Sequence, residues 1–415
     1  MADTRMVQLA TNPPHPSTKM VRSNLASSQK ISAELARTPS TPAWSFTTSS
    51  WGHHSPSDPT AIDEIIQLNP ISLQAIYKYD IPSKVPIHGD ISFADLSAKC
   101  GLDLINLRRC LRFAMVYHYI FCEPRPGFVA HTAASRVLVD SPTARSGVGW
   151  FFDELFQASA RTLEAKQKWG SDEPQHSGWS LSQNTDQSLW AHYAAHPEMA
   201  QRFAGCMSAI AGMVGRLPSF LVNGYPWTSV ASSSSGKAKG TVVDIGGSKG
   251  TICIEMARAA PNLHFIVQDL PEMVHGAEAG VPADLKTRID FMAHDMFTEQ
   301  PVRGADVYPF RNVFHNWSDG HTVQALKALV SALKPGARVV VNDYFTPEPG
   351  TMTASKEREV RAMDMIMFTL FNAREREKRD WEMIFQQADP RFKDLRIWTP
   401  EGSALCIIEC EWRNR

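Results

Sequence analysis

No pair of cysteines in this 415-residue chain has C-x-x-C spacing, and the seven that occur (100, 110, 122, 206, 253, 406 and 410) are odd in number and sit mostly inside apolar patterns. A disulfide framework is therefore not expected, and the thiols read as reduced and cytoplasmic. No apolar run approaches the ~18 residues that span a bilayer, and the opening Met-Ala-Asp-Thr-Arg-Met lacks the apolar stretch of a secretion signal. Membrane insertion and secretion are not expected. Surplus charge is missing too: 42 Lys and Arg stand against 43 Asp and Glu, a formal net charge of −1, which favours neither nucleic acid nor an anionic membrane as partner. His192 and His196 have the i, i+4 spacing of a zinc protease, but Tyr193 stands where its glutamate belongs, and His53 and His54 have no further ligands nearby. No metal is expected.

What the chain does have is length for two or three domains and 43% hydrophobic residues to fill their cores. Residues 1–60 are rich in Pro, Ser and Thr and read as a tail, with one short helix around residues 31–35. Over residues 61–79 apolar residues recur at helical spacing, and Pro70 is expected to divide them into two helices. Ser92 followed by Asp95 marks a capped helix that Gly101 stops, a second amphipathic helix covers 103–119, and residues 120–130 read as a hairpin turning at 124–127. Helix, turn, helix, hairpin is a winged-helix order. Arg108, Arg109 and Arg112 on its second helix raise DNA binding, against which the neutral balance favours a small dimerisation module (residues 61–148). His131 reads as a local hydrogen-bonding residue that could also reach a pocket. Residues 149–230 are mainly helical around a polar loop at 171–186, and Phe203, Met207 and Ile210 share one face, suited to core or to a flat aromatic ligand. A serine-rich linker, 231–240, leads into the last domain, 241–415.

That domain is organised around residues 242–250, Val-Val-Asp-Ile-Gly-Gly-Ser-Lys-Gly, which read strand, tight turn, helix. The new helix presents free N–H groups, so a nucleotide-like ligand is the first expectation. The order Asp244-x-Gly246-Gly247-x-x-Gly250 departs from the G-x-G-x-x-G of dinucleotide folds. An acid ahead of the first glycine suits a ligand carrying an ammonium, as the methionine end of S-adenosylmethionine does. A second strand ends in Asp269, placed to accept from ribose hydroxyls. Strands at 289–292, 306–311 and 338–345, a helix at 321–333, long helices at 355–371 and 378–387 and β runs at 395–398 and 404–412 continue the alternation. A doubly wound α/β sheet follows, with Asp244, Asp269, Asp295, Arg311 and Asp343 around one crevice at the strands' carboxyl ends. His315, just past a strand, is placed to take a proton near neutral pH.

In its motifs the chain resembles fungal S-adenosylmethionine-dependent O-methyltransferases of the caffeate type. The motifs are residues 242–250, Val-Gln-Asp-Leu-Pro (267–271), His-Asp-Met-Phe (294–297), Arg-Asn-Val-Phe-His-Asn-Trp-Ser-Asp (311–319), Leu-Lys-Pro-Gly-Ala-Arg (333–338) and Asn-Ala-Arg-Glu-Arg-Glu (372–377). The resemblance implies a Rossmann-like seven-stranded domain behind an N-terminal winged-helix domain that forms a homodimer. It implies Gly246 and Gly247 as backbone cofactor contacts, Asp269 on the ribose, Asp295 and Met296 on the adenine side and Arg311 as a basic contact. It further implies His315 as general base bracketed by Asp343 and Glu375, and Phe203, Met207, Asp364 and Asn372 facing a phenolic small-molecule substrate. Departures are Ser248 for a third glycine, Asn316 where Asp is common, and Pro309, expected to interrupt its strand. Two other functions stay open: a cofactor-bound cyclase of the same fold that transfers no methyl, and a winged-helix regulator.

Overall fold

The computed structural model describes residues 68–213, 215–232 and 240–413. The expected tail with its short helix, residues 61–67 and most of the expected linker lie outside them.

Strands are where β-branched and aromatic residues run together between turn residues. Seven form one mixed sheet: β3 Gly240–Ile245, β4 Leu263–Asp269, β5 Ile289–Ala293, β6 Val307–Arg311, β7 Arg338–Asn342, β8 Phe392–Trp398 and β9 Ile407–Trp412, in the order β5-β4-β3-β6-β7-β9-β8. The first five of that order are mutually parallel, and β9 and β8 add antiparallel. Chain order runs outward from β3 in both directions, so the switch in direction falls between β3 and β6, where open α/β sheets hold ligands.

Alternation in β3 sends neighbours to opposite faces. Val243 and Ile245 pack with Phe310, Leu326, Trp381 and Phe385 under the helices Asp319–Leu329 and Lys378–Ala388. Val242 packs with Phe265, Val267, Cys253 and Met256 under the helix Thr251–Ala259. Each such side chain, fully buried, contributes about 1.5–3 kcal/mol, which sets the sheet as the rigid floor beneath its carboxyl edge.

Pro309 does not interrupt β6. The strand runs through it, paired with Val340 of β7, and the loss shows instead on the β3 side, where only Val242↔Val307 and Ile245↔Phe310 register. A proline lacks one ladder donor but its φ suits a strand, so the neighbour on one side carries the pairing.

Among the described residues of 68–232, the regular structure is helical apart from a small strand pair. Pro70 lies in the first turn of the helix Asn69–Lys78, where a missing N–H costs nothing; the first of the two helices expected over 61–79 falls on residues 61–67, outside the described residues. Ser92 caps Phe93–Cys100 by accepting from the Asp95 N–H at 3.0 Å, and Gly101 ends it at φ 79°. Leu104–Tyr117 follows, capped by Asp103. The expected hairpin is reduced to one bridge, Cys122↔Ala130, because Phe128–Val129 (β2) pairs antiparallel with Ile91–Ser92 (β1) ahead of the first helix. The polar loop expected at 171–186 contains a short helix, Gly178–Ser182, whose Trp179 is fully buried and donates to the buried Glu154 carboxylate at 3.2 Å. His192 and His196 stack ring on ring at 3.8 Å. Among the described residues no helix is long and apolar enough to cross a membrane.

Candidate active site

The turn after β3 takes its shape from close packing. Gly246 sits at φ 75°, and a Cβ there would lie 2.7 Å from Val313 Cγ2. A Cβ on Gly247 would lie 2.5 Å from Asp244 Oδ2. Ser248 adopts φ 50° without being glycine, a conformation that costs of order 1–3 kcal/mol; its N–H donates to Asp269 Oδ2 at 2.8 Å, and that charge-assisted bond offsets part of the strain.

Four N–H groups of the turn itself, ahead of the new helix, are committed within the protein. Those of Gly246 and Gly247 donate to the Gln268 carbonyl, that of Ser248 to Asp269, and that of Gly250 to the Gly247 carbonyl. A turn that has committed these donors is ill suited to cradle a phosphate; a ligand that brings its own donors, such as an ammonium, matches it better. Asp244 does not stand open at this turn. It is buried beneath Gly247 and accepts from Cys253 Sγ at 3.2 Å, and burial pushes its carboxyl up to about 6 against that bond and the nearby Arg311.

At the end of β4 the half-buried Asp269 takes the Ser248 and Leu270 N–H groups, one on each oxygen, at 2.8 Å. Burial raises its pKa and those two bonds oppose the rise. The neighbouring His294 donates its backbone N–H to the Asp269 carbonyl, while its Nε2 is buried with no partner. Asp295 is exposed, accepting from the Phe297 N–H at 3.0 Å, and Met296 packs half-buried against the core under β6. Arg311 spans to Asn342 Oδ1 at 3.0 Å and to the Arg216 carbonyl at 2.7 Å; burial lowers its pKa, and the Asp244 and Asp343 carboxylates counter this.

His315 lies on a single tight turn, Phe314–Asn316, beyond β6. Phe314 anchors that turn by stacking on Phe310 at 4.3 Å. The imidazole Nδ1 meets Glu375 Oε1 at 2.9 Å, and the His315 backbone N–H donates to Asp343 Oδ2 at 3.1 Å. Burial by itself would lower the histidine's pKa, yet the Glu375 and Asp343 carboxylates and the Glu375 hydrogen bond outweigh it and hold it above the ordinary value. Asp343 is raised by burial, with His315 pulling the other way. Asp343 Oδ1 and Glu375 Oε2 are buried without partners, so the three side chains form a compact, under-satisfied polar group. With Nδ1 facing a carboxylate, the ring proton belongs on Nδ1 and the Nε2 lone pair is left as acceptor. That is the arrangement of a base.

The structure brings His315, Asp343 and Glu375 together, and puts Asp364 among them in another role: its Oδ1 accepts the Glu375 N–H at 2.8 Å. Asn372 caps the helix Ala354–Phe371 at φ 56° and donates Nδ2 to the Ser171 and Glu173 carbonyls at 2.6 and 3.2 Å, which ties it to the helical half. Phe203 and Met207 lie half-buried in one aromatic cluster with Trp150, Trp190, Tyr193 and Tyr344. His131 is taken up locally, Nδ1 by Ser135 Oγ at 2.9 Å and Nε2 by the Val85 carbonyl at 3.2 Å.

Two residues escaped sequence reasoning. Arg376, wholly buried, donates to Asp319, to the Phe314 and Trp317 carbonyls and to Thr322 Oγ1, and so clamps the histidine's turn. Its signal was its place in the 372–377 motif. Arg216 offered none, lying alone between two helices.

A glycine turn with committed donors, a strand-end acid and a carboxylate-held histidine define a Rossmann-like group-transfer site. A model of the O-methyltransferase domain matches residues 231–390. The chain is 48% identical over 348 residues to the grayanic acid biosynthesis cluster O-methyltransferase of Cladonia grayi, covering 83% of this chain and 72% of that protein. It is 47% identical to the O-methyltransferase pyvH of Aspergillus violaceofuscus, covering 83% and 82%. Among solved structures, OxaC in complex with SAH and oxaline aligns with TM-score 0.70 at 22% identity over 83% of this chain and 85% of that one. LepI in complex with SAM aligns with TM-score 0.70 at 20% identity over 95% and 100%. The chain belongs to the S-adenosylmethionine-dependent O-methyltransferases.

Proposed function

We propose that this enzyme methylates a phenolic hydroxyl of an aromatic secondary metabolite, with His315 as the general base. The observation that carries the reading is the imidazole held at Nδ1 by Glu375, which leaves Nε2 as the acceptor on a side chain that keeps 10% exposure. A phenol has a pKa near roughly 10 and needs a poised acceptor to lose its proton as oxygen attacks. Nε2 takes that proton; Glu375 and Asp343 stabilise the imidazolium so formed.

The residues around the glycine turn fit the cofactor by their chemistry. The turn has committed its donors, Asp269 keeps two charged oxygens at a strand end, and His294 Nε2 is buried unpaired beside it. Asp269 would hold the ribose, the Gly246–Gly247 backbone the aminoacyl end, Asp295 and Met296 the adenine edge, and Arg311 the crevice beside them. When bound, S-adenosylmethionine supplies a methyl on a cationic sulfur. The protein's share is alignment of oxygen with that methyl, with His315 taking the proton.

We further infer a homodimer formed through residues 61–148. Ile105 and Val116 are each 70% exposed and Tyr119 is 76% exposed, unusual for large apolar side chains on a soluble face.

Mass spectrometry of product and by-product tests the reaction. Gain of one methylene unit with one S-adenosylhomocysteine per turnover supports transfer. Product of unshifted mass without the by-product would mean a cyclase instead.

A further inference from the structure

We propose that Arg216 is a carboxylate-binding residue of this site, receiving an acidic group on the phenolic substrate or the aminoacyl carboxylate of the cofactor. The inference rests on the methyl-transfer reading only for the identity of these ligands.

The backbone here is fixed. Gly215 stands at φ 90°, with a would-be Cβ 3.3 Å from Ala404 N and the Gly402 carbonyl, and its own carbonyl accepts the Ala404 N–H at 2.8 Å. The Arg216 N–H donates to the Met213 carbonyl at 3.1 Å, and its carbonyl receives Arg311 at 2.7 Å. This residue is thereby tied to the crevice between β3 and β6. The half-buried guanidinium lies over the Tyr344 ring, 4.8 Å from its centroid. Tyr344 directly follows Asp343 and belongs to the aromatic cluster with Phe203, Met207 and Met363.

Arg216 therefore stands where the cofactor crevice, the histidine and the aromatic wall meet. It is close enough to His315 for its charge to oppose protonation of the imidazole. Among the described residues no carboxylate lies in ion-pair range of it. Three other arginines have such partners: Arg376 and Arg374 pair with Asp319, and Arg202 with Glu154. A half-buried guanidinium, stacked and donor-rich but unpaired, is built to complete its bonding with a planar anion, and carboxylate is the anion whose geometry its fork matches.

Calorimetry separates the two sources without needing turnover. In the wild type, protocatechuate is titrated against its methyl ester with S-adenosylhomocysteine bound, and S-adenosylhomocysteine is titrated against its decarboxylated analogue. The proposal expects at least one carboxylated member to bind tighter than its neutral partner by roughly 10- to 100-fold, the scale of a charged hydrogen-bonded pair. Arg216→Ala should erase that ratio and Arg216→Lys restore part of it. A ratio found only in the first pair assigns the substrate; one found only in the second assigns the cofactor. Absence of preference in both wild-type pairs overturns the proposal even if the variants fail to fold, and so does a preference that survives in a folded Arg216→Ala. Discrimination of carboxylate in an enzyme that yields no homocysteine by-product would keep the anchor and remove the methyl-transfer reading.

Discussion

The two halves of the described chain make their site residues in opposite ways. In the sheet half, residues 240–413, Asp269 ends β4, His315 follows β6 and Glu375 joins two helices, and each is held by neighbours close in space: Asp269 by two N–H groups, His315 by two carboxylates, Glu375 by Asp364. In the helical half, residues 68–232, what is presented is surface: an aromatic cluster with half-exposed members, one unpaired arginine, and large apolar side chains left bare on the first helices. Pre-organised polar groups supply chemistry, whereas adaptable apolar surface supplies recognition and assembly. Mutations in the first half should therefore be read in rate and cofactor affinity, and those in the second in selectivity and association.

The largest expected effect tests the sheet half at its centre. His315→Ala should lower turnover by roughly 10²- to 10⁴-fold while S-adenosylhomocysteine affinity measured by calorimetry stays within a few fold. A loss of less than tenfold would remove the base. Next comes the clamp beneath it: Arg376→Ala leaves Asp319 to Arg374 alone and strands the Phe314 and Trp317 carbonyls, and urea unfolding should show a loss of about 1–3 kcal/mol for each carbonyl left unpaired. Asp269→Ala should weaken S-adenosylmethionine by about 1.5–3 kcal/mol for each ribose hydrogen bond lost; unchanged affinity would sink that placement.

A smaller effect concerns pH. Because the folded environment raises the His315 pKa, the imidazolium's contribution to stability is fully present below the ordinary value near 6.5 and fades as pH rises through the raised one. A base must be neutral to accept a proton, so the proposed role of His315 predicts a rate that climbs with pH through a midpoint above 6.5. Glu375→Gln removes the larger of the two carboxylate influences and should move that midpoint down while reducing kcat. A midpoint that stays put would contradict the pairing. The smallest effect on stability belongs to the helical half. Ile105→Glu with Val116→Glu should shift melting little, within about 0.5 kcal/mol per exposed site, yet convert dimer to monomer in sedimentation. Monomeric wild-type protein would end that reading.

Local chemistry was legible from the residues alone wherever it is short-ranged. Ser92, Asp95 and Gly101 mark their helix because a cap is a contact three residues away, and β3 to the helix after it follows from β-branching and glycine in one nine-residue stretch. His315 with its carboxylates was reachable through the motif at 311–319 and the resemblance it supports. Tertiary structure alone decided the rest. That Phe128–Val129 pairs with Ile91–Ser92 depends on which strand edge the folded helices leave open. The Asp244 carboxylate lies under Gly247, and the turn's donors go to Gln268, because β4 aligns beside β3 in one particular register. Asp364 serves Glu375, Asn372 ties two halves 200 residues apart, and Arg216 faces Tyr344. Such pairings are set by packing across long loops, where the closure cost depends only weakly on sequence and the partner is chosen by shape and burial.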